Sequence, residues 1–197
     1  MVRDLAREVD IEAVVETGTY RGTSTEFLAH VFGVPVWTVE AHPRYYEYAR
    51  RRLAACADVQ IEQGDSREFL RRIPAPASDS SAATLFYLDA HWAEDLPLRE
   101  ELQIIEGKWP AAVIIIDDFE VPDDAGYAFD DYGPGKCLTE SYLPPLNGWT
   151  IRYPASPSHE ESGARRGCVV LGSPVMRAAV EKLASLRAAE SSSPNVG

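Results

Sequence analysis

The pattern of apolar and polar positions divides the chain into short apolar runs that alternate with segments of helical character. The apolar runs are rich in β-branched and aromatic residues and predict strands at 11–17, 35–40, 59–65, 83–90, 111–119, 148–154 and 167–173. Helices are predicted between and after them, at 23–30, 43–55, 66–73, 98–106, within 135–146 and at 175–190. This alternation predicts an α/β fold, a doubly wound Rossmann-like sheet of about seven strands.

The predicted sheet is mostly parallel, with helices on both faces and an antiparallel last strand that pairs with the one before it. The run at 111–119 is the most apolar, as expected for the centre of a parallel sheet. Thr23 and Glu26 fit a capping box at the start of the helix after the first strand. Ligands of such sheets bind at the carboxyl ends of the strands, where the strand order reverses. Residues at the strand ends are therefore the first candidates for chemistry.

Composition narrows the class of protein. A chain of 197 residues predicts one domain, at 1–190, followed by a frayed tail at 191–197. The net charge of −12 argues against nucleic acid or an anionic membrane as the main partner. The apolar runs are too short to span a bilayer, and the first residues lack the apolar segment of a secretory signal. We therefore expect a cytoplasmic protein, with a homodimer left open.

The first predicted strand ends in ETGTYRG, an acid followed by two glycines. Gly18 and Gly22 can adopt backbone angles that other residues avoid, and they let a ligand lie against the main chain. The spacing is not that of G-x-G-x-x-G, and Glu16 beside it would disfavour a pyrophosphate but favour a cation. A tight strand-to-helix turn with a solvated acid is the simpler alternative.

The second and third predicted strands also end in acids. Glu40 follows Gly18 by twenty-two residues, a separation at which an acid can accept hydrogen bonds from both ribose hydroxyls. Alternatively, Glu40 is a surface acid before the His42–Pro43 turn. Asp65 could accept from an adenine amino group, or Asp65 or Ser66 could only cap the following helix.

Acids at three successive strand ends beside a glycine turn fit a cationic nucleoside without phosphates, which indicates S-adenosylmethionine. On these motifs the chain resembles the class I S-adenosylmethionine-dependent methyltransferases along most of its length. ETGTYRG is similar to their first glycine motif, TVEAHP to their acidic second-strand motif and QGDS to their adenine-side motif. The resemblance implies a single methyltransferase domain with cofactor-binding roles for Glu16, Thr17, Gly18, Tyr20, Gly22, Ser24, Glu40, Ala41, Asp65, Ser66 and Asp89.

The resemblance also distributes these residues along the cofactor. Glu16, Gly18 and Gly22 would lie along the methionine and ribose side. Glu40 would hold the ribose, and Asp65 with Ser66 would hold the adenine.

The fourth and fifth predicted strands end in Asp89 and in the pair Asp117 and Asp118. Carboxylates gathered at neighbouring strand ends need a compensating cation, and oxygen ligands favour Mg²⁺ or Ca²⁺. The arrangement resembles metal-dependent O-methyltransferases of the catechol and macrolide-sugar types, which implies Mg²⁺ bound by Asp89, Asp117 and Asp118. Adjacent strand residues point to opposite faces, so Asp117 and Asp118 can share one ion only if the chain bends between them. Otherwise Asp117 holds a backbone amide and Asp118 caps the next loop.

The predicted catalytic residues are His91 and Asp89. An imidazole titrates near neutrality, so His91 could accept a proton from an acceptor hydroxyl, although it could equally pack against Trp92. The acidic and aromatic loop at 120–135 suits a lid over the acceptor, or it is simply an acidic loop. His159 is better explained as part of a surface loop than as a substrate contact.

The expected activity is methyl transfer from S-adenosylmethionine to a hydroxyl of a small-molecule acceptor, such as a sugar, a phenol or a natural product, with Mg²⁺ orienting the oxygen. One alternative is a Mg²⁺-dependent hydrolase that uses the same carboxylates. Another is a protein that binds S-adenosylmethionine without catalysis. A nicotinamide-dependent dehydrogenase ranks below both, because the glycine spacing does not fit it.

Overall fold

The computed structural model describes residues 1–75, 82–91 and 95–189. Its strands are β1 (Ile11–Thr17), β2 (Val36–Glu40), β3 (Val59–Gln63), β4 (Ala83–Leu88), β5 (Ala112–Asp117), β6 (Thr150–Pro154), β7 (Cys168–Gly172) and β8 (Leu186–Arg187). Its α-helices are α1 (Val2–Glu8), α2 (Thr23–Phe32), α3 (Pro43–Arg52), α4 (Ser66–Arg72), α5 (Leu98–Lys108) and α6 (Arg177–Glu181).

The strands form one sheet in the order β3-β2-β1-β4-β5-β7-β6-β8. The first five are parallel to one another, and the strand order reverses between β1 and β4. β7 lies antiparallel between β5 and β6, which confirms the predicted antiparallel pair. The predicted doubly wound sheet is confirmed, and its ligand-binding edge is the one where β1 to β5 end.

Apolar side chains cover both faces of the sheet. On one face Val15, Phe86 and Ile114 pack in a core that includes residues of α4 and α5. On the other face Val14 and Leu85 pack in a second core with residues of α1, α2 and α6. Successive strand residues point to opposite faces, so a strand buried on both sides reads as a continuous apolar run.

The helix predicted at 175–190 is wrong in its length. α6 ends at Glu181, and the chain then turns into β8, which pairs antiparallel with β6. Val180, Leu183 and Leu186 are all buried, so the turn and the edge strand bury the same apolar positions that a longer helix would have buried. The sheet gains an eighth strand. Residue 190 and the predicted tail at 191–197 lie outside the described residues.

Two further features of the helices differ from the sequence-based expectations: the start of α2 and the presence of α1. The capping box predicted for α2 is wrong, because the N-cap is Gly22, which has φ 74° and no side-chain cap. Glu26 instead pairs with Arg52. The sequence had not predicted α1. Its residue Leu5 is fully buried and packs the helix against the sheet.

In the described part of the chain, no helix is both long and apolar enough to cross a membrane.

Candidate active site

The ends of β1 to β5 border a cavity of about 360 Å³. The sequence-predicted residues on its wall are Gly18, Tyr20, Glu40, Ala41, Asp65, Ser66, Asp89, His91 and Asp118. The acids at the carboxyl ends of β2, β3, β4 and β5 (Glu40, Asp65, Asp89 and Asp118) therefore line one cavity. Glu16, Thr17, Gly22, Ser24 and Asp117 are not among the residues that line it.

Gly18 lies where the end of β1 meets the end of β4. Its φ is 86°, and a Cβ there would lie 2.2 Å from the carbonyl oxygen of Asp89. Its own amide donates to the carbonyl of Val39 at 3.0 Å. Only glycine satisfies both the backbone angle and the close approach. This contact brings the first glycine motif directly against the acidic end of β4.

Glu16 lies beneath the glycine turn and has no exposed surface. Its Oε2 accepts hydrogen bonds from the hydroxyls of Thr25 and, at 2.7 Å, Thr38. Burial raises the pKa of this carboxyl, against the effect of those hydroxyls. Glu16 thus ties β1 to β2 and α2 behind the cavity wall, where it supports the turn.

Glu40 is 7% exposed and lies at the cavity wall. Its two oxygens accept separate backbone hydrogen bonds, from Tyr20 at 2.7 Å and from His42 at 2.8 Å. Tyr20 has a left-handed backbone with φ 48°, an unusual conformation for a residue with a side chain. The loop after β1 is therefore held in a fixed position by the acid at the end of β2, and each oxygen keeps a further lone pair for a ligand.

Asp65 caps α4, and it also lines the cavity. Its carboxylate accepts from the amides of Arg67 and Glu68 and from the guanidinium of Arg67. The Arg67 guanidinium is the largest influence that lowers the pKa of Asp65. Ser66, 6% exposed, follows at the cavity wall. The capping interpretation is correct, and it does not exclude a ligand contact, because the same two residues face the open space.

At the other end of the cavity, Asp89, His91 and Asp118 each offer a ligand atom, and these atoms lie within 4.8 Å of one another. The Nε2 atom of His91 is 3.8 Å from Oδ1 of Asp89 and 3.9 Å from Oδ2 of Asp130. Burial, reinforced by the charges of Asp117 and Asp118, raises the pKa of Asp89 to about 9. The negative charges around Asp89 are therefore not fully compensated by neighbouring positive charges.

The predicted acid pair is divided between two environments. Asp118 has φ 54°, so the chain does bend there, and its side chain joins the cluster with His91. The carboxylate of Asp117 instead accepts from the hydroxyl of Tyr87 at 2.6 Å and from the amide of Asp118 at 3.0 Å. Asp117 still acts on the site through its charge, which is one cause of the raised pKa of Asp89.

Three residues near the cluster were not singled out by the sequence. Arg166, just before β7, pairs with Asp118 and with Asp130. The hydroxyl of Tyr132 donates to Asp130, and both line the cavity. Asp130 and Tyr132 belong to the loop expected to act as a lid, so only the loop was predictable. Arg166 carried no signal, because its partners are distant in sequence.

His159 is on the surface. Its side chain is 78% exposed, and its nearest acid is the adjacent Glu160, at 3.9 Å. This agrees with the simpler explanation of a surface loop. The predicted packing of His91 against Trp92 concerns a residue outside the described part of the chain.

No protein-family model matches the chain, and no curated protein matches it. Solved structures do match. The O-methyltransferase TomG from Streptomyces achromogenes, in complex with S-adenosylmethionine and involved in tomaymycin synthesis, is 18% identical over 87% of this chain and 77% of that one, with a TM-score of 0.60. Cofactor-bound Rv0187 from MTB is 19% identical over 88% of this chain and 78% of that one, with a TM-score of 0.58.

These likenesses define the fold. The chain has the Rossmann-like fold of S-adenosylmethionine-dependent O-methyltransferases, as the sequence motifs predicted. A mutant of MtNAS in complex with S-adenosylmethionine shares the fold less closely, at 16% identity over 86% of this chain and 57% of that one, with a TM-score of 0.54. Identities this low leave the activity to be argued from the site itself.

Proposed function

We propose that this chain transfers the methyl group of S-adenosylmethionine to a hydroxyl of a small molecule, such as a sugar, a phenol or a natural product. The observation that carries the proposal is the single cavity that Gly18, Glu40, Asp65 and Asp89 line together, at the ends of four neighbouring strands. A cation without phosphates suits acids in these positions, whereas a dinucleotide would meet repulsion at its pyrophosphate.

The cofactor end of the cavity supports a nucleoside. Glu40 is fixed by two backbone amides, so its carboxylate is held in place to accept from ribose hydroxyls. Asp65 and Ser66 face the next part of the wall, where an adenine amino group would find an acceptor. Glu16 contributes from below by holding the strands and the glycine turn together. Its charge also counts among those that act on Asp89.

The reactive end of the cavity supports a second cation. Four acids lie there, Asp89, Asp117, Asp118 and Asp130, and Arg166 is the one positively charged side chain among the described residues that pairs with them. The sulfonium of the methyl donor and a divalent ion would offset the excess of negative charge. Asp89 and Asp118 would hold that ion, and the resemblance implies that it is Mg²⁺. It would supply Lewis acidity toward an acceptor hydroxyl whose own pKa is ~10 or higher.

The chemical step is an in-line displacement. The carbon–sulfur bond of the donor breaks, a carbon–oxygen bond forms, S-adenosylhomocysteine leaves, and the hydroxyl proton passes to a base. His91 is the predicted base. Burial lowers the pKa of His91, so its imidazole is neutral near pH 7. Neutrality is required for accepting a proton, and equally for binding a metal.

Calorimetry with S-adenosylmethionine and S-adenosylhomocysteine tests the proposal directly. We expect both to bind, and we expect Glu40→Gln to weaken binding roughly tenfold or more, because a charged acceptor of hydrogen bonds is worth ~1.5–3 kcal/mol. Glu106→Gln, at an exposed position of α5, is the matched control and should bind like the parent protein. Thermal unfolding of each variant distinguishes lost contacts from lost structure.

The same measurement separates the alternatives. A Mg²⁺-dependent hydrolase would show no affinity for S-adenosylmethionine, and that result would remove the proposal. A protein that binds the cofactor without catalysis would show affinity but no release of S-adenosylhomocysteine with any hydroxylated acceptor in the presence of divalent ions. Turnover across a panel of phenols and sugars would identify the acceptor class.

A further inference from the structure

We propose that His91 is a metal ligand and not the general base, so that Asp89, His91 and Asp118 form a cation site of one nitrogen and two carboxylate oxygens. Such a site prefers a first-row transition ion such as Mn²⁺ or Fe²⁺ to Mg²⁺. The use of that ion in methyl transfer rests on the proposed function, whereas the site itself rests only on the geometry of three side chains.

The unpartnered state of His91 is the first observation. Its side chain is 3% exposed, and its Nε2 atom has less than 1 Å² of accessible surface and no hydrogen-bond partner. A buried polar atom without a partner destabilises the folded protein, because it has lost its hydrogen bonds to water without replacing them. Nε2 faces the space between Asp89 and Asp130, at a distance too long for hydrogen bonds to either. A cation between these groups would satisfy it.

The burial of Nε2 also argues against the role of base. A general base must approach the proton that it accepts to within about 2.6–3.2 Å, directly or through one water molecule. His91 borders the cavity, but its Nε2 atom is covered by the protein, so an acceptor hydroxyl would have to displace a neighbouring group to reach that nitrogen. The nitrogen can reach an ion that is held between it and the neighbouring carboxylates.

The spacing of the three donors fits an ion after a small adjustment. Donor atoms bound to one transition ion at about 2.1 Å can be at most about 4.2 Å apart. Nε2 of His91 and Oδ1 of Asp89 meet this limit at 3.8 Å, and the complete set lies within 4.8 Å. Side-chain movements of a few tenths of an ångström would close it.

The neighbouring residues leave these donors available. Arg166 engages Oδ1 of Asp118, so the other oxygen of that carboxylate can face an ion. Asp117, the ligand implied by the resemblance, already accepts from Tyr87 through one oxygen and from the amide of Asp118 through the other. His91 is therefore the better-placed third donor. Imidazole nitrogen favours ions such as Fe²⁺ and Zn²⁺, whereas Mg²⁺ prefers oxygen ligands alone.

The test uses the full chain without an affinity tag of histidines. Calorimetry with Mn²⁺ and with Mg²⁺ should show that the parent protein binds Mn²⁺ roughly tenfold or more tightly, and that His91→Gln loses most of this preference. Pulsed electron paramagnetic resonance of bound Mn²⁺ should show coupling to a ¹⁴N nucleus that is absent from His91→Gln. His159→Gln changes an exposed histidine and should leave both readouts unaltered.

Each outcome decides the question. Mn²⁺ that binds without nitrogen coupling, or equal affinity for the two ions in the parent protein, would overturn the inference. Failure to bind Mn²⁺ at all would do the same. Calorimetry with S-adenosylmethionine on the same preparation keeps the two proposals apart, because cofactor binding without nitrogen coupling refutes only the metal ligand. Nitrogen coupling without cofactor binding refutes only the methyl transfer.

Discussion

At the scale of single residues, this molecule is marked by carboxyl groups that are buried without a full set of partners. Glu101 in α5 is 1% exposed, and its Oε1 has no hydrogen-bond partner. Burial raises the pKa of Glu101 from 4.5 to about 7. The group is therefore protonated in the folded protein at pH values where it is ionised in the unfolded chain.

This difference predicts a loss of stability with rising pH. The cost of ionising Glu101 is absent below pH 4.5, grows between pH 4.5 and about 7, and is complete above that range. Glu101→Gln should remove this component. The free energy of unfolding of the variant, taken relative to that of the parent protein, should therefore be about 3 kcal/mol higher at pH 8 than at pH 4. Urea unfolding at the two pH values measures it.

The control for this prediction is Glu106→Gln on the same helix, which should follow the pH dependence of the parent protein because its side chain is exposed. Contributions from other titrating groups, Asp89 among them, are common to all three proteins and cancel in the comparison. Parallel pH profiles for Glu101→Gln and the parent protein would show that burial of Glu101 has no such effect.

The site residues that could be predicted from the sequence are those at the carboxyl end of a predicted strand, because that position alone places them at the ligand-binding edge of the sheet. Glu40, Asp65 and Asp89 directly end or follow apolar strands, and all three face the cavity. Arg166 could not be predicted, because its pairs with Asp118 and Asp130 join residues 48 and 36 positions away. The burial of Glu16 was missed for a related reason, since Thr25 and Thr38 cover it only after α2 and β2 pack against β1.

At the scale of elements, the close contact between β1 and β4 makes Gly18 a sensitive position. Gly18→Ala would place a Cβ 2.2 Å from the carbonyl oxygen of Asp89, which requires the strand ends to separate. Gly33→Ala shares the left-handed backbone, with φ 62°, but its Cβ would meet nothing within 4 Å. We expect the first substitution to cost about 2–4 kcal/mol and the second about 1–2 kcal/mol.

Urea unfolding of the two variants measures this difference directly. Backbone strain is common to both, so the excess cost of Gly18→Ala reports the contact with β4. Gly18→Ala should also weaken S-adenosylmethionine binding, because the displaced strand end carries Asp89. Equal losses of stability in the two variants would contradict the prediction.

Element order was predictable because strands buried on both faces leave long apolar runs, as in β5 (Ala112–Asp117). The residues at which helices and strands begin and end were harder to predict. The apolar spacing of Val180, Leu183 and Leu186 is compatible with a helix, yet the edge of β6 offers backbone hydrogen bonds that β8 takes up. The start of α2 was misjudged because Gly22 supplies the cap through its backbone conformation, where a side chain was expected.

At the scale of the whole molecule, one sheet separates two cores, and neither is confined to half of the chain. The core that contains Phe86 extends from Trp37 in β2 to Trp149 beside β6. The other extends from Leu5 in α1 to Leu186 in β8. The sheet runs without a break between these limits. Within residues 1–75, 82–91 and 95–189, no boundary divides the structure into units with cores of their own.

If the predicted single domain at 1–190 is correct, the chain should unfold in a single transition. Trp37 and Trp149 lie toward opposite ends of the sheet, so Trp37→Phe and Trp149→Phe weight the fluorescence toward opposite ends. In each variant, the urea midpoint measured by fluorescence should equal the midpoint measured by far-ultraviolet circular dichroism, because all probes agree when unfolding is two-state. S-adenosylhomocysteine at one hundred times its dissociation constant should raise the free energy of unfolding by ~2.7 kcal/mol. All the transitions should then shift together to higher urea concentration. Midpoints that separate, with the Trp149 end melting first, would instead show that β6 to β8 form an independent unit.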